Sequence, residues 1–540
     1  NIHTYSDTEV ILHAYTEWGE DCVHKFNGMF AFAIWDRRNH RLFCARDRLG
    51  IKPFYYWHDG RKLVFASEIK AILAAGVPAD VNSNGLQDYL TFQFCLGDKT
   101  LFDGIRKLEP GYLMTAELAT DRLVLKMRQY WDVRYDIDEM HDEEWFVDHL
   151  SSLLEDSIRI RLRSDVPLGA HLSGGLDSST VVSLAASMLD GMPLRTFTGA
   201  FREGSQFDET RYARLVAEAA GAEYHEVYPS AEDFIGYLPK LIHFMDEPLA
   251  GPGLFPQYCV SKLASDHVKV VLGGQGGDEI FIGYARYMVA YLEKCLQGAI
   301  SQTSNANRYA VSLESITPNL PVLQQYVPML QRFWREGLFG PMDERYFRLI
   351  DRSDGHQGVF EAVDNDGSYS PFESFRKIFN REGLHSLINR MTYFDLKASL
   401  PALLHVEDRT SMSVSLESRV PLLDYRIVEL LATIPPNIKF AGGRMKHLFK
   451  KAVKNFVPEE VYNRQDKMGF PVPLQQWFRG EAREFVRDTL LSKAARERGL
   501  YNMQAVENAI HEEGNYGRVI WGLLCLELWH RAFIDEATAA

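Results

Sequence analysis

A chain of 540 residues is too long for one ordinary hydrophobic core and suits two or three domains. Hydrophobic residues make up 46% and charged residues 24%, as in a soluble globular protein. A net charge of −14 argues against nucleic acid or an anionic membrane as the main partner.

Six cysteines are scattered (Cys22, Cys44, Cys95, Cys259, Cys295 and Cys525), none in a CxxC pair. A zinc site and a disulfide framework are therefore not expected. Each cysteine reads as a small buried hydrophobe in a reducing compartment. No apolar run is long enough to span a bilayer, and the opening Asn1-Ile2-His3-Thr4 is too polar for a signal peptide. A cytoplasmic location is expected. Without an initiating Met, the chain is expected to start inside a longer gene product.

In chain order, the spacing of Val10, Ile11, Ala14, Tyr15 and Trp18 predicts a helix from Thr8 to Gly19. Short aromatic and β-branched runs at Met29–Asp36, Leu42–Arg46, Phe54–His58 and Leu63–Ala66 follow, separated by turn residues, and predict antiparallel sheet. From Val81 to Trp131 the pattern is looser. The acidic stretch Tyr135–Glu144 is the expected boundary between a domain over 1–135 and another over 144–540.

Beyond it the texture changes. A helix is predicted over Trp145–Leu162, then strand Gly169–Leu172, a glycine-serine turn, helix Ser178–Leu189, strand Arg195–Phe201 and helix Asp208–Ala220. Strands at His225–Tyr228 and Val268–Leu272 complete an alternation that predicts a parallel sheet covered on both faces. From about Asn305 onward the chain reads as mostly helical. Cys295–Arg352 carries no motif, and Ser304–Pro318 reads as a possible inserted loop.

The sharpest local signal is Ser173-Gly174-Gly175-Leu176-Asp177-Ser178-Ser179, set between a strand and a helix. Glycine backbone N–H groups, serine hydroxyls and a helix N-terminus together suit a phosphate or pyrophosphate. Asp177 is out of place in an anion pocket unless it holds a Mg²⁺ that bridges the phosphates. Neither a Walker A loop nor GxGxxG is present. A second cluster, Gly273-Gly274-Gln275-Gly276-Gly277-Asp278-Glu279, again follows a predicted strand. Ligands of open α/β sheets bind at the carboxyl ends of strands, so both turns are expected to face one crevice, with Asp278 as second carboxylate.

With Phe207-Asp208-Glu209, Asp246-Glu247-Pro248, Glu407-Asp408-Arg409-Thr410-Ser411-Met412, Leu416-Glu417-Ser418-Arg419-Val420-Pro421 and Arg464-Gln465-Asp466-Lys467-Met468-Gly469-Phe470, these clusters resemble the synthetase domain of glutamine-hydrolysing asparagine synthetases. The N-terminal segments Ser6-Asp7-Thr8-Glu9, Phe26-Asn27-Gly28-Met29-Phe30 and Ala45-Arg46-Asp47-Arg48-Leu49-Gly50-Ile51-Lys52-Pro53 resemble the glutaminase domain of the same family.

The resemblance implies an α/β architecture. An incomplete N-terminal antiparallel sandwich of the Ntn-hydrolase type precedes a Rossmann-like PP-loop pyrophosphatase sheet with a helical C-terminal part. It implies the substrates aspartate, ATP and glutamine or ammonia, the cofactor Mg²⁺, and a homodimer. Leu172, Ser173, Gly174, Gly175, Asp177, Ser178, Gly273 and Gly274 are the implied ATP-binding residues, and Asp177 and Asp278 the Mg²⁺ ligands. Lys467 and position 275 are implied to be catalytic, and Asp7 is implied to hold the glutamine amino group. Arg409, Glu417 and Arg419 read either as contacts to a substrate carboxylate or as structural ion pairs.

Two departures bear on function. The family's nucleophilic cysteine at the mature N-terminus has no counterpart, since residue 1 is Asn and Cys22 matches no nucleophile motif. The chain as given is expected to lack glutaminase activity, with free ammonia left open as the nitrogen source. Position 275 is Gln where the family usually carries Glu, and glutamine cannot act as a general base. The acid that is amidated therefore stays open between aspartate and another carboxylate, and a non-catalytic relative is the third reading.

Overall fold

A computed structural model describes residues 3–4, 6–120, 122–189, 191–249, 251–301, 311–353, 358–360, 368–464, 471–512 and 518–535. It opens on the helix Asp7–Trp18, whose N-cap Ser6 accepts a hydrogen bond from the Thr8 N–H. Strands β1 (Ala31–Asp36), β2 (Arg41–Arg46), β3 (Tyr55–His58), β4 (Leu63–Ala66), β5 (Arg106–Lys107), β6 (Tyr112–Ala119) and β7 (Arg122–Gln129) follow. They form an antiparallel four-stranded sheet in the order β1-β2-β6-β7 and a three-stranded sheet in the order β4-β3-β5. The predicted strands are all present. The β6–β7 hairpin was invisible to pattern because β7 is an edge strand whose face is mostly in solvent, so charged residues interrupt its alternation.

After the long helix Glu143–Arg161 come β8 (Leu168–His171), β9 (Arg195–Gly199), β10 (Glu223–Val227), β11 (Val270–Leu272) and β12 (Glu417–Arg419). They pair in parallel in the order β10-β9-β8-β11-β12. The chain leaves β8 for β9 and β10 on one side, then returns to lay β11 against the other side of β8. That reversal makes the gap beyond the carboxyl ends of β8 and β11 the sheet's topological switch point. Strand β12 is three residues long and lies far along the sequence, so no local pattern announced it.

The two parts of the chain share a core. Tyr89 and Phe102 pack with Trp521 and Trp529 of the Val519–Trp529 helix, which is buried around nearly its whole circumference. The Phe102 and Trp529 rings meet edge to face at 5.1 Å. Asp246 and Glu247, both fully buried, accept the backbone N–H groups of Ile69 and Leu101 at 2.7 Å each, and Lys70 pairs with Asp246 at 2.6 Å. The Asp246-Glu247-Pro248 motif thus joins the N-terminal part to the part built on the parallel sheet.

All six cysteines are buried and free. Burial pushes the Cys22 thiol up to about 11, so it is no nucleophile. No helix among the described residues is long and apolar enough to cross a membrane.

Candidate functional site at the sheet switch point

Both glycine turns leave the sheet at the switch point, one after β8 and one after β11. Leu172 is buried below the first turn, its carbonyl accepting from the Thr198 hydroxyl at 2.6 Å. The Ser173 N–H donates to Ser178 Oγ at 3.1 Å, and the Ser178 hydroxyl donates to the Gly175 carbonyl at 3.2 Å, which closes the turn on itself. Gly174 has φ +69°, and a Cβ there would stand 2.8 Å from Ala213 N. Only glycine fits that left-handed, closely packed position. Gly175 caps the Leu176–Ser187 helix without any side-chain capping bond. Its first-turn N–H groups are therefore not claimed by a cap and suit an anion.

The second turn presses on the first. A Cβ at Gly274 would lie 2.7 Å from Ser178 N, and one at Gly277 would lie 2.5 Å from the Asp177 carboxylate carbon. This contact brings Asp177 and Asp278 to the same side of the two turns. A residue the sequence did not single out, Lys446, stands between them. Its ammonium donates to both Asp177 oxygens at 2.8 and 2.6 Å and pairs with Asp278 at 2.6 Å. Burial opposes its charge, but the two carboxylates outweigh burial and hold its pKa above the ordinary lysine value. Lys446 adopts the left-handed conformation, φ 55°, at the cap of the His447–Val453 helix. That non-glycine outlier was the structural mark of its role, and no sequence pattern encodes it.

Among the described residues no group of three or more His, Cys, Asp or Glu side chains could hold a metal. The donor set is the carboxylate pair alone. Two carboxylates gathered on one cation fit a Mg²⁺ that takes its remaining ligands from phosphates and water.

Gly273 is buried and Gln275 half-buried in the second turn. Lys467 lies outside the described residues. Arg464, from the same motif, donates to the Gly174 carbonyl at 3.2 Å and to Glu209. The Phe207-Asp208-Glu209 and Arg464 motifs therefore meet at the first turn.

Arg409 pairs with Glu68 and sits 3.6 Å from Asp408, while Arg419 pairs with Glu417 at 2.7 Å and donates to the Arg161 and Arg163 carbonyls. Each is held in a network of its own and is not drawn to the switch point. Glu407, by contrast, is buried against Gly273, where it accepts from Gln257 and Ser418.

In the N-terminal part Asp7 is exposed at the first turn of its helix. The Ala45–Pro53 motif is architectural. Buried Asp47 accepts the N–H groups of Ile51 and Lys52, both at 2.9 Å, and Lys52 pairs across the interface with Asp408 at 2.9 Å.

The family model described as asparagine synthase matches residues 149–531, and that of a glutamine amidotransferase domain matches residues 1–131. The chain belongs to the asparagine synthase family. It is 32% identical to an asparagine synthetase (glutamine-hydrolyzing) 1 of Bacillus subtilis (strain 168), over 99% of this chain and 82% of that protein. It is equally 32% identical to a putative asparagine synthetase (glutamine-hydrolyzing) of Mycobacterium tuberculosis (strain ATCC 25618 / H37Rv), over 99% and 81%. A third relative, asparagine synthetase (glutamine-hydrolyzing) 3 of Bacillus subtilis, is 29% identical over 96% and 79%. Membership in the family makes the chain an enzyme that forms carbon–nitrogen bonds.

Proposed function

We propose that the chain converts aspartate to asparagine, spending ATP to AMP and pyrophosphate, with ammonia, taken from glutamine or supplied free, as the nitrogen donor. The observation that carries this reading is the meeting of Asp177 and Asp278 on one cation beneath two glycine turns at the sheet's switch point.

In this reading Leu172, Ser173, Gly174, Gly175, Ser178, Gly273 and Gly274 hold the nucleotide, and the Leu176–Ser187 helix dipole favours its phosphates. Asp177 and Asp278 hold Mg²⁺, which when bound neutralises and orients phosphate oxygens. A side-chain carboxylate oxygen of aspartate attacks the α-phosphorus, the bond to the β-phosphate oxygen breaks, and pyrophosphate leaves. Ammonia then attacks the acyl carbon, loses a proton, and expels AMP as the C–O bond breaks. Negative charge grows on phosphate and carbonyl oxygens in both steps, so fixed cations lower both barriers. Lys446 and Lys467 are the cations assigned here.

Asp7 holds the glutamine amino group, the functional units span 1–135 and 144–540, and the chain acts as a homodimer.

Gln275 favours one second reading. Without a carboxylate at that position to accept a proton, the same scaffold could serve another carboxylic acid. Pyrophosphate release from Mg-ATP with ammonium, measured with L-aspartate and with a panel of other acids, decides between them. Aspartate-dependent release with asparagine formed is expected; release only with another acid selects the second reading.

A further inference from the structure

Beyond Gly283 the site continues into a group of arginines that the nucleotide chemistry does not use. A Cβ at Gly283 would meet both Asp278 and the Lys446 stem, so this glycine is the wall of the metal end. The next residue, Tyr284, donates its hydroxyl to the buried Glu279. Arg286 stacks its guanidinium over the Tyr284 ring at 3.7 Å and is already paired, with Asp395 at 2.8 Å.

Arg352 and Arg518 differ from Arg286. Both are tied to the end of the Ser83–Phe92 helix: the Arg352 N–H donates to the Thr91 carbonyl at 2.6 Å, and Gln93 Nε2 donates to the Arg518 carbonyl at 3.2 Å. The Arg518 guanidinium stands over Gly251, 3.1–3.2 Å from where a Cβ would be, so a side chain there would crowd it. Neither guanidinium has a hydrogen-bonded or ion-paired partner among the described residues. Burial first, then the neighbouring charges of Arg518, Arg286 and Arg332, push Arg352 down to about 9, and Asp351 opposes them without offsetting them. Desolvation by the surrounding protein likewise lowers Arg518, opposed by Tyr284 and aided by Arg286, although the residue is exposed at its surface.

A second observation points to the same place. Gln93 is buried, and because its Nε2 is spent on Arg518, its Oε1 is fixed as the free end; that oxygen has no donor among the described residues. Two guanidinium forks without a partner among the described residues suit a carboxylate, and a buried amide oxygen without a donor among them suits an N–H group. An α-amino acid head group supplies both.

We propose that Arg352, Arg518 and Gln93 form the subsite for the α-carboxylate and α-amino group of the acid amidated at the switch point, with Tyr284 and Gly283 between head and reacting end. This rests on the amidation reading and deepens it, because it limits the acceptor to an amino acid with a second carboxylate.

The test is L-aspartate binding to the full chain by calorimetry, with and without Mg-ATP, and steady-state pyrophosphate release with ammonium. Arg518→Gln and Arg352→Gln are each expected to raise the KM for L-aspartate at least tenfold and leave the KM for ATP unchanged. Arg518→Lys, which keeps the charge without the fork, is expected to fall between. Gln93→Leu is expected to narrow the preference for L-aspartate over succinate, which lacks the amino group. Unchanged aspartate affinity in both glutamine variants, with melting temperatures equal to wild type, overturns the subsite. A rise in the KM for ATP or weaker pyrophosphate inhibition instead assigns the arginines to phosphate and also overturns it. Calorimetry needs no turnover, so a wild-type chain that binds L-aspartate through these residues but makes no asparagine sinks the amidation reading alone.

Discussion

Lys446 is hydrogen-bonded through one ammonium group to both carboxylate oxygens of Asp177, at 2.8 and 2.6 Å. With Asp278 on the same nitrogen, three charged groups from turns 101 and 168 residues apart in sequence (278 − 177 and 446 − 278) share one point. Replacing Lys446 by Met removes the fixed ammonium charge that sits between the two carboxylates. Loss of a preorganised charge at a reacting centre costs roughly 3 kcal/mol, on the order of 100-fold in rate. A fall of that size in pyrophosphate release is expected at saturating Mg-ATP, and a variant with wild-type kcat would remove Lys446 from the machinery.

Asp177→Asn keeps the shape of the side chain and removes its charge. Pyrophosphate release should fall below detection while the fold is retained, since Asn still accepts from Lys446. Normal turnover would show that the metal is held elsewhere. Raising Mg²⁺ tenfold should not restore the variant, as an amide oxygen is a much weaker ligand for a hard cation.

Gly274→Ala puts a Cβ 2.7 Å from Ser178 N, and backbone cannot yield as a flexible side chain can. The two turns must separate. The KM for ATP should rise about tenfold, roughly 1.4 kcal/mol, with the KM for ammonium unchanged. Steady-state kinetics with each substrate varied in turn checks this.

Glu247 is fully buried and accepts the Leu101 N–H at 2.7 Å. Glu247→Leu strands that donor inside the protein, a loss of about 2–3 kcal/mol. Urea unfolding should show it as a lower midpoint with the slope preserved. Glu247→Gln keeps an acceptor and should lose less; equal losses would mean that the charge, and not the hydrogen bond, carries the contact.

His405 links the two parts of the chain. Its Nε2 lies 2.8 Å from the Met245 carbonyl and must be the donor, so Nδ1 accepts from the Tyr55 hydroxyl at 3.2 Å. Burial, with its neighbouring cations, pushes its pKa down to about 3. The folded state therefore keeps it neutral while the unfolded chain, with pKa near 6.5, takes up a proton. The unfolded state binds more protons between pH 6.5 and 3, so this group's contribution is full above pH 6.5 and is lost as pH falls, at up to about 1.4 kcal/mol per unit. His405→Gln should flatten the stability profile between pH 6.5 and 5 relative to wild type. Parallel profiles would show that His405 is not the titrating group.

Much of this was legible locally. Gly174, Gly175 and Ser178 announce a phosphate turn because the chemistry of such a turn is written in consecutive residues, and the order of β8, turn and helix follows from periodicity alone. Asp177 could be suspected from its charge in an anion pocket. The sequence by itself determined most of the elements, the alternation that makes a parallel sheet, and the two turns. Only the tertiary structure decided what meets them. Strand β12 is too short to show a period, and it pairs with β11 because Leu416 and its neighbours complete a buried edge. Lys446 lies in a stretch that reads as surface, yet the fold sets it in the left-handed region between two acids. Gln93, Arg352 and Arg518 come from three unrelated segments and carry no common motif. A lysine or an arginine looks the same in sequence whether solvated or confined, because its charge is local but the field it answers to comes from residues hundreds of positions away.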